Sequence, residues 1–186
     1  MPLKQTMSAD GWIDNARHVP SPNFDARPDG VDVELVVIHA ISLPPGQFGT
    51  GCVADLFLNR LDHDAHDYFA GLSALKVSAH FLLARDGCLT QFVSCAARAW
   101  HAGRSAWRGR EACNDFSIGI ELEGCDSLAF TDRQYVALVA LLTTLCTNYP
   151  ALGADRVVGH SDIAPGRKTD PGPLFDWSRL RAGLAV

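Results

Sequence analysis

Three apolar runs along the chain predict buried strands. Residues 34–39 and 116–122 are nearly continuous in apolar side chains, which is typical of strands covered on both faces. A shorter run at 156–159 leads into a segment rich in Pro and Gly. Each of the three runs contains or directly precedes a residue that can carry chemistry, so they are the first places to look for function.

Other segments predict a hairpin and helices between these strands. Residues 78–85 and 89–93 flank Asp86-Gly87, a tight-turn signal that predicts a β-hairpin. Apolar residues at helical spacing predict helices over 52–61 and 132–148, the latter behind a capping-box pattern, and a last helix is expected near Asp176. Strands interleaved with helices predict an α/β fold, with a mixed central β-sheet flanked by helices.

Length and composition narrow the class of protein. The 186 residues fit one domain, 1–186, with residues 1–30 as an extended lead-in packed on it. The content of 47% hydrophobic and 20% charged residues is ordinary for a soluble globular protein. A net charge of -5 argues against nucleic-acid binding, which favours a basic surface.

The sequence also predicts where in the cell the protein is found. No apolar run approaches the roughly 20 residues of a membrane-spanning helix. The first residues lack the apolar core of a signal peptide, so a cytoplasmic protein without membrane contact is expected. The six cysteines form no C-x-x-C pair, and in that compartment they are expected to stay reduced.

The segment Gly159–Pro173 carries the strongest chemical signal. It places His160, Lys168 and Asp170 within eleven residues, on what its prolines and glycines predict to be a rigid loop. His39 ends the first predicted strand. Two neutral imidazoles and one carboxylate are a usual set of ligands for a catalytic zinc ion. A Glu and a Lys nearby would complete a metal hydrolase.

Each of these residues also has an ordinary structural explanation. A histidine at a strand end is more often a core residue than a ligand, and Asp170 before a proline is a common turn residue. Alternation along the strand puts Glu121 and Glu123 on the same face, so periodicity does not choose between them. Lys168 can instead be an ordinary charged side chain on a solvent-exposed loop.

Further polar clusters also have both a structural and a functional explanation. The cluster Asp62–Asp67 contains two histidines, but it lies on a polar predicted loop without a hydrophobic surround, which argues against a metal site. Trp100 and His101 fit either the core or the wall of a binding groove. Three arginines can be a solvated face or can steer an acidic substrate: Arg104, Arg108 and Arg110.

Five motifs together carry a resemblance to a known family. In chain order they are His39 after Leu-Val-Val-Ile, Ser78–His80, Trp100–Gly103, Asn114–Gly124 and Lys168–Pro173. With these motifs the chain resembles the zinc N-acetylmuramoyl-L-alanine amidases, which share a fold with peptidoglycan recognition proteins. Within that family it is most similar to the bacterial cytosolic branch that acts on 1,6-anhydro-muropeptides.

The resemblance implies a site and a reaction. It implies one Zn²⁺ per chain, and the implied ligands are His39, His160 and Asp170. Glu121 and Lys168 are implied as catalytic residues. The implied substrate contacts are Lys76, Trp100, His101, Asn114 and Arg167.

The implied reaction is hydrolysis of the amide between N-acetylmuramic acid, in its 1,6-anhydro form, and L-alanine. It serves recycling of the cell wall, and in some bacteria it lowers the inducer of a β-lactamase. A monomer is expected. The alternatives are a non-catalytic muropeptide-binding module, which often lacks a zinc ligand, and an exported wall amidase, which needs a signal peptide.

Overall fold

The chain forms a mixed β-sheet with helices packed against it over residues 5–184, the part that this computed structural model describes. The strands are β1 (Arg17–His18), β2 (Phe24–Ala26), β3 (Leu35–Ile41), β4 (Phe81–Leu83), β5 (Leu89–Gln91), β6 (Ala97–Ala99), β7 (Ala106–Trp107), β8 (Arg110–Glu111), β9 (Ser117–Glu123) and β10 (Val157–Gly159). The helices are α1 (Cys52–Phe57), α2 (Asp67–Ala70), α3 (Asp132–Asn148), α4 (His160–Ile163) and α5 (Trp177–Leu184), with single 3₁₀ turns at Cys113–Asp115 and Ala154–Arg156.

The main sheet has six strands in the order β1-β5-β4-β9-β3-β10. The hairpin pair β4 and β5 is antiparallel, and the other neighbouring pairs are parallel. Two small antiparallel pairs, β2 with β6 and β7 with β8, lie outside it. The α/β fold with a mixed central sheet flanked by helices, predicted from the sequence, is therefore confirmed.

One face of the sheet packs on α3. Alternate residues of β3 and β9 belong to the same buried cluster as the apolar side of α3. The helix begins at the predicted place because Thr131 and Gln134 form the capping box in both directions. Fully burying one aliphatic side chain stabilises the fold by roughly 1.5–3 kcal/mol, so this face holds the two strands firmly in register. The cluster includes Val36, Ile38, Ile118, Ile120, Leu138, Leu141 and Leu142.

The opposite face changes from apolar to polar along the strands. On β3, Leu35 and Val37 lie in a second buried cluster, and His39 follows them on the same side. β3 and β9 pair in parallel so that His39 is opposite Glu121. Because side chains of paired residues in neighbouring strands point to the same face, the polar residues of both strands meet near their carboxyl ends.

The strand and hairpin predictions hold with shifted ends. The predicted strands 34–39, 116–122 and 156–159 correspond to β3, β9 and β10, and the predicted hairpin corresponds to β4 and β5. Gly87 in its turn has φ 86°, a conformation that favours glycine. The helix predicted over 52–61 ends at Phe57, and the helix expected near Asp176 begins at Trp177.

One prediction about an irregular segment needs correction. His160 is not on a loop but is the first residue of α4, because the Asp162 carboxylate accepts a hydrogen bond from the Gly159 N–H at 2.7 Å and starts a single helical turn. The lead-in 1–30 supplies β1 to the edge of the main sheet and β2 to a small pair; its residues 1–4 lie outside the described part.

The segment 99–115 contains the small β7–β8 pair and a 3₁₀ turn. No helix among residues 5–184 is long and apolar enough to cross a membrane. All six cysteines are free, as predicted.

Candidate metal site and catalytic cavity

A cavity of about 640 Å³ opens where β3 and β9 carry their polar residues. Its volume is in the range usual for small-molecule sites. Every residue that the sequence predicted for the site lines this cavity: His39, Lys76, Trp100, His101, Asn114, Glu121, His160, Arg167, Lys168 and Asp170. A second groove, of about 720 Å³ along α3, has no histidine or carboxylate among its described lining residues. The chemistry therefore concentrates in the first cavity.

Three donor atoms converge at the inner end of the cavity. Nδ1 of His39 lies 2.9 Å from Nδ1 of His160 and 3.2 Å from Oδ2 of Asp170. The third edge, from His160 Nδ1 to Asp170 Oδ2, is 3.1 Å. Ligands of a tetrahedral zinc ion with bonds near 2.0–2.1 Å are about 3.3 Å apart, so the spacing suits such an ion. Among residues 5–184 this is the one such group of histidine, cysteine or acidic side chains.

The hydrogen bond made by Nε2 of His160 determines whether Nδ1 carries a proton or a lone pair. Nε2 of His160 lies 3.1 Å from the carbonyl oxygen of Ala102. A carbonyl only accepts, so Nε2 carries the proton and the Nδ1 lone pair points at His39 and Asp170. A single proton placed among the two Nδ1 atoms and the carboxylate oxygen can bond to only some of them, whereas a divalent cation can bind all three. The donor chemistry fits zinc.

The protonation states also suit a cation. Burial is the main cause that lowers the pKa of His39 to about 4, with the contact to Asp170 opposing it. Burial alone would raise the pKa of Asp170, but the contacts of its carboxylate with the imidazoles of His160 and His39 outweigh this and hold the pKa well below its ordinary value. At neutral pH His39 is therefore neutral and Asp170 is ionised, as metal ligands must be.

Glu121 and Glu123 are both buried, but they differ in their partners. The carboxylate of Glu123 accepts hydrogen bonds from the backbone N–H groups of Gly49 and Arg85. Oε2 of Glu121 is buried without a hydrogen-bond partner among the described residues. Burial, and then the charge of Asp170, raise the pKa of Glu121 well above its ordinary value. These contacts favour Glu121 as the reactive carboxylate and give Glu123 a structural role.

Lys168 lies on the rim of the cavity as an exposed residue. Its positive charge acts against the raised pKa of Glu121 and contributes to the lowered pKa of His39. It is therefore close enough to influence charge at the inner end of the cavity.

Two residues predicted to contact substrate, Asn114 and Arg167, form hydrogen bonds with the backbone of the loop that follows Trp100. Oδ1 of Asn114 accepts hydrogen bonds from the backbone N–H groups of His101 and Ala102, at 3.1 and 2.8 Å. Nη2 of Arg167 donates to the carbonyl oxygens of Ala102 and Arg104, each at 2.7 Å. These side chains shape the wall of the cavity, and direct contact with a substrate stays a prediction for them. Lys76 is exposed at the rim.

The ring of His101 is engaged within the protein at both nitrogens. Its Nδ1 lies 2.9 Å from Nε2 of His39, and its Nε2 lies 3.2 Å from Oγ of Ser117. A Cβ added to Gly119 would lie 2.4 Å from this ring, so that glycine makes room for it. Neither Ser117 nor Gly119 is among the site residues predicted from the sequence. An isolated glycine inside a strand signals a close approach and would have pointed to this packing.

The other clusters weighed from the sequence lie outside the cavity. In the cluster Asp62–Asp67, His63 contacts the carbonyl oxygen of Phe69, and His66 accepts a hydrogen bond from the Tyr68 N–H at the start of α2. These contacts tie one nitrogen of each imidazole to the backbone around α2. Arg108 and Arg110 pair with Asp155 and Glu34 and do not line the cavity.

The chain is similar to known amidases over most of its length. Residues 29–173 match the family model described as N-acetylmuramoyl-L-alanine amidase. The chain is 57% identical over 173 residues to the 1,6-anhydro-N-acetylmuramyl-L-alanine amidase AmpD of Citrobacter freundii, covering 93% of this chain and 92% of that protein.

Two solved structures are similar. A crystal structure of a Se-Met AmpD derivative matches with a TM-score of 0.93 and 55% identity, over 96% of this chain and 99% of that one. The Escherichia coli amidase AmiD, in complex with anhydro-N-acetylmuramic acid-L-Ala-D-γ-Glu-L-Lys, matches with a TM-score of 0.59 and 30% identity, over 97% of this chain and 65% of that one.

The contrast between the two glutamates generates a prediction about stability. A carboxyl group whose pKa is raised on folding stabilises the fold below its unfolded pKa, near 4.3, and loses this contribution as the pH rises through the folded pKa. In the metal-free protein, Glu121→Gln should therefore raise the melting temperature at neutral pH, with an advantage that grows as the pH rises above the unfolded pKa.

Glu123→Gln is the matched control, two residues along the same strand. It replaces an oxygen acceptor by an NH₂ group facing a backbone N–H, so it should lower stability by about 1–3 kcal/mol. Thermal unfolding of the wild type and both variants at several pH values measures this. Equal effects of the two substitutions would contradict the assignment.

Proposed function

The chain belongs to the N-acetylmuramoyl-L-alanine amidase family, and on this premise we propose that it hydrolyses the amide between the lactyl group of 1,6-anhydro-N-acetylmuramic acid and L-alanine in soluble muropeptides. Such hydrolysis belongs to cell-wall recycling. The observation that carries the proposal is the group of three metal donors next to a buried, unpartnered carboxylate in one cavity. The name and the 57% identity of the Citrobacter relative support the choice of substrate.

His39, His160 and Asp170 would hold one zinc ion per chain. When bound, zinc supplies a Lewis acid that polarises a carbonyl and lowers the pKa of water. Two neutral imidazoles and one carboxylate neutralise only one of the two positive charges, which preserves this acidity. Three protein ligands would leave a further position for water or substrate, as is usual in catalytic rather than structural zinc sites.

Glu121 acts as the general base and then as the acid. Its raised pKa and free Oε2 suit a group that takes a proton from the attacking water at neutral pH. The same carboxyl group then gives the proton to the nitrogen of L-alanine as the amide bond breaks. Water, carbonyl carbon and leaving nitrogen all need to lie within reach of this one side chain, which lines the same cavity as the three metal donors.

Lys168 stabilises the negative charge that develops on the carbonyl oxygen. Its side chain is a compact cation at the rim, and its charge already acts on Glu121. A positive group aimed at an oxygen that becomes negative during the reaction stabilises the transition state more than the ground state.

Two other functions are distinguishable. A binding module without catalysis has no need for a complete ligand set, and here all three donors and Glu121 are together. An exported wall amidase would act on polymeric wall rather than on soluble fragments. A cytoplasmic location, a monomeric state and an effect on β-lactamase induction stay predictions.

The activity prediction is tested with purified protein and a soluble anhydro-muropeptide. We expect about one zinc per chain, release of a stem peptide that begins with L-alanine, loss of hydrolysis on chelation and recovery with zinc. Mass spectrometry of the products and metal analysis measure this. Full activity in metal-free protein, or faster digestion of intact wall than of soluble fragments, would overturn the proposal.

The role of Glu121 is tested by Glu121→Gln. The variant should keep its zinc but lose on the order of 10²–10⁴-fold in kcat, the usual contribution of a positioned general base. Glu123→Gln serves as the control, because it removes a buried carboxylate on the same strand without touching the proton path, and it should retain most of the activity. A larger loss in Glu123→Gln than in Glu121→Gln would show that the two roles are reversed.

A further inference from the structure

A chain of hydrogen bonds connects His39 to the backbone beneath the cavity. Nε2 of His39 lies 2.9 Å from Nδ1 of His101, and Nε2 of His101 lies 3.2 Å from Oγ of Ser117. The Ser117 hydroxyl in turn donates to the carbonyl oxygen of Cys113 at 2.5 Å. We call His39, His101, Ser117 and the Cys113 carbonyl the relay.

The carbonyl at the end of the relay fixes the direction of every proton in it. A carbonyl only accepts, so the Ser117 hydroxyl proton points at Cys113, and Oγ is left to accept from the Nε2–H of His101. Neutral His101 then has a lone pair on Nδ1, which accepts the Nε2–H of His39. What remains on His39 is a lone pair at Nδ1, directed at His160 and Asp170.

The position of His101 is fixed by its surroundings. Its backbone N–H donates to Oδ1 of Asn114, and its ring lies over Gly119, where a Cβ would be 2.4 Å away. Ser117 is fully buried on β9, which pairs with the strand that carries His39. His39 and Ser117 therefore lie on paired strands of the main sheet, and the ring of His101 packs against that sheet at Gly119.

We propose that His101 and Ser117 are positioning residues, which hold His39 in the tautomer protonated at Nε2 and thereby set the affinity for the metal ion. Outer hydrogen bonds of this kind orient metal-binding histidines and typically affect metal affinity 10–100-fold. The inference rests on the proposed metal site, but it concerns residues that do not touch the ion.

Ser117→Ala tests the relay by removing the acceptor for the Nε2–H of His101. We expect its zinc dissociation constant, measured by competition with a chelator of known affinity, to rise by about 10–100-fold. Ser117→Thr, which keeps the hydroxyl group, should recover most of the lost affinity.

Ser21→Ala is the matched control. Ser21 is also a buried serine whose hydroxyl donates to one backbone carbonyl, that of Phe57, and accepts from one backbone N–H, that of Asn23. It does not line the cavity, so its loss should lower stability while zinc affinity stays at the wild-type value. Equal zinc affinity in Ser117→Ala and the wild type would overturn the proposal, and so would an equal loss of affinity in Ser21→Ala.

Nitrogen NMR of the histidine rings in the metal-free protein reports directly which ring nitrogen carries the proton. In the metal-free wild type we expect His39 and His101 both to be protonated at Nε2, and in Ser117→Ala we expect His39 to populate the Nδ1–H form. A His101 protonated at Nδ1 in the wild type would overturn the relay even if Ser117→Ala did not fold. Failure of the wild type to bind zinc would instead count against the proposed metal site.

Discussion

The parallel pairing of β3 with β9 is the constraint on which the rest of the site depends. It places His39 opposite Glu121, on the face of the sheet that turns away from α3. The apolar residues that alternate with them, such as Ile38 and Ile120, are buried under α3 and lock the register. A slip of one residue would bury the polar side chains in that core, so the packing that stabilises the fold also aligns the ligand and the base.

This alignment brings together buried polar groups that cannot all form hydrogen bonds with one another. Two Nδ1 atoms and a carboxylate oxygen face each other, and Oε2 of Glu121 has no partner among the described residues. Unpaired buried groups of this kind cost stability, and they persist here because large apolar clusters on both faces of the sheet hold the strands in place. The arrangement makes physical sense if a cation and a substrate complete it.

The sequence predicted the elements well where the signal was local. The capping box at Thr131, the Asp86-Gly87 turn and the apolar runs each identify their element, since each depends on neighbouring residues. What the sequence did not decide depends on distant contacts. Alternation leaves Glu121 and Glu123 equivalent; the resemblance selects Glu121, and in the structure the backbone donors of Gly49 and Arg85 set Glu123 apart.

The same reason explains why the contact between His101 and His39 could not be predicted from the sequence. The partners of His101 are 62 and 16 residues away along the chain, and no local pattern connects them. The one local trace is Gly119, an isolated glycine in a strand. X-ray absorption spectroscopy of the zinc-loaded protein tests the central claim most directly. The account predicts only nitrogen and oxygen ligands near 2.0–2.1 Å, with scattering from two imidazole rings, whereas sulfur at about 2.3 Å from any of the free cysteines, or fewer than two imidazoles, would contradict it.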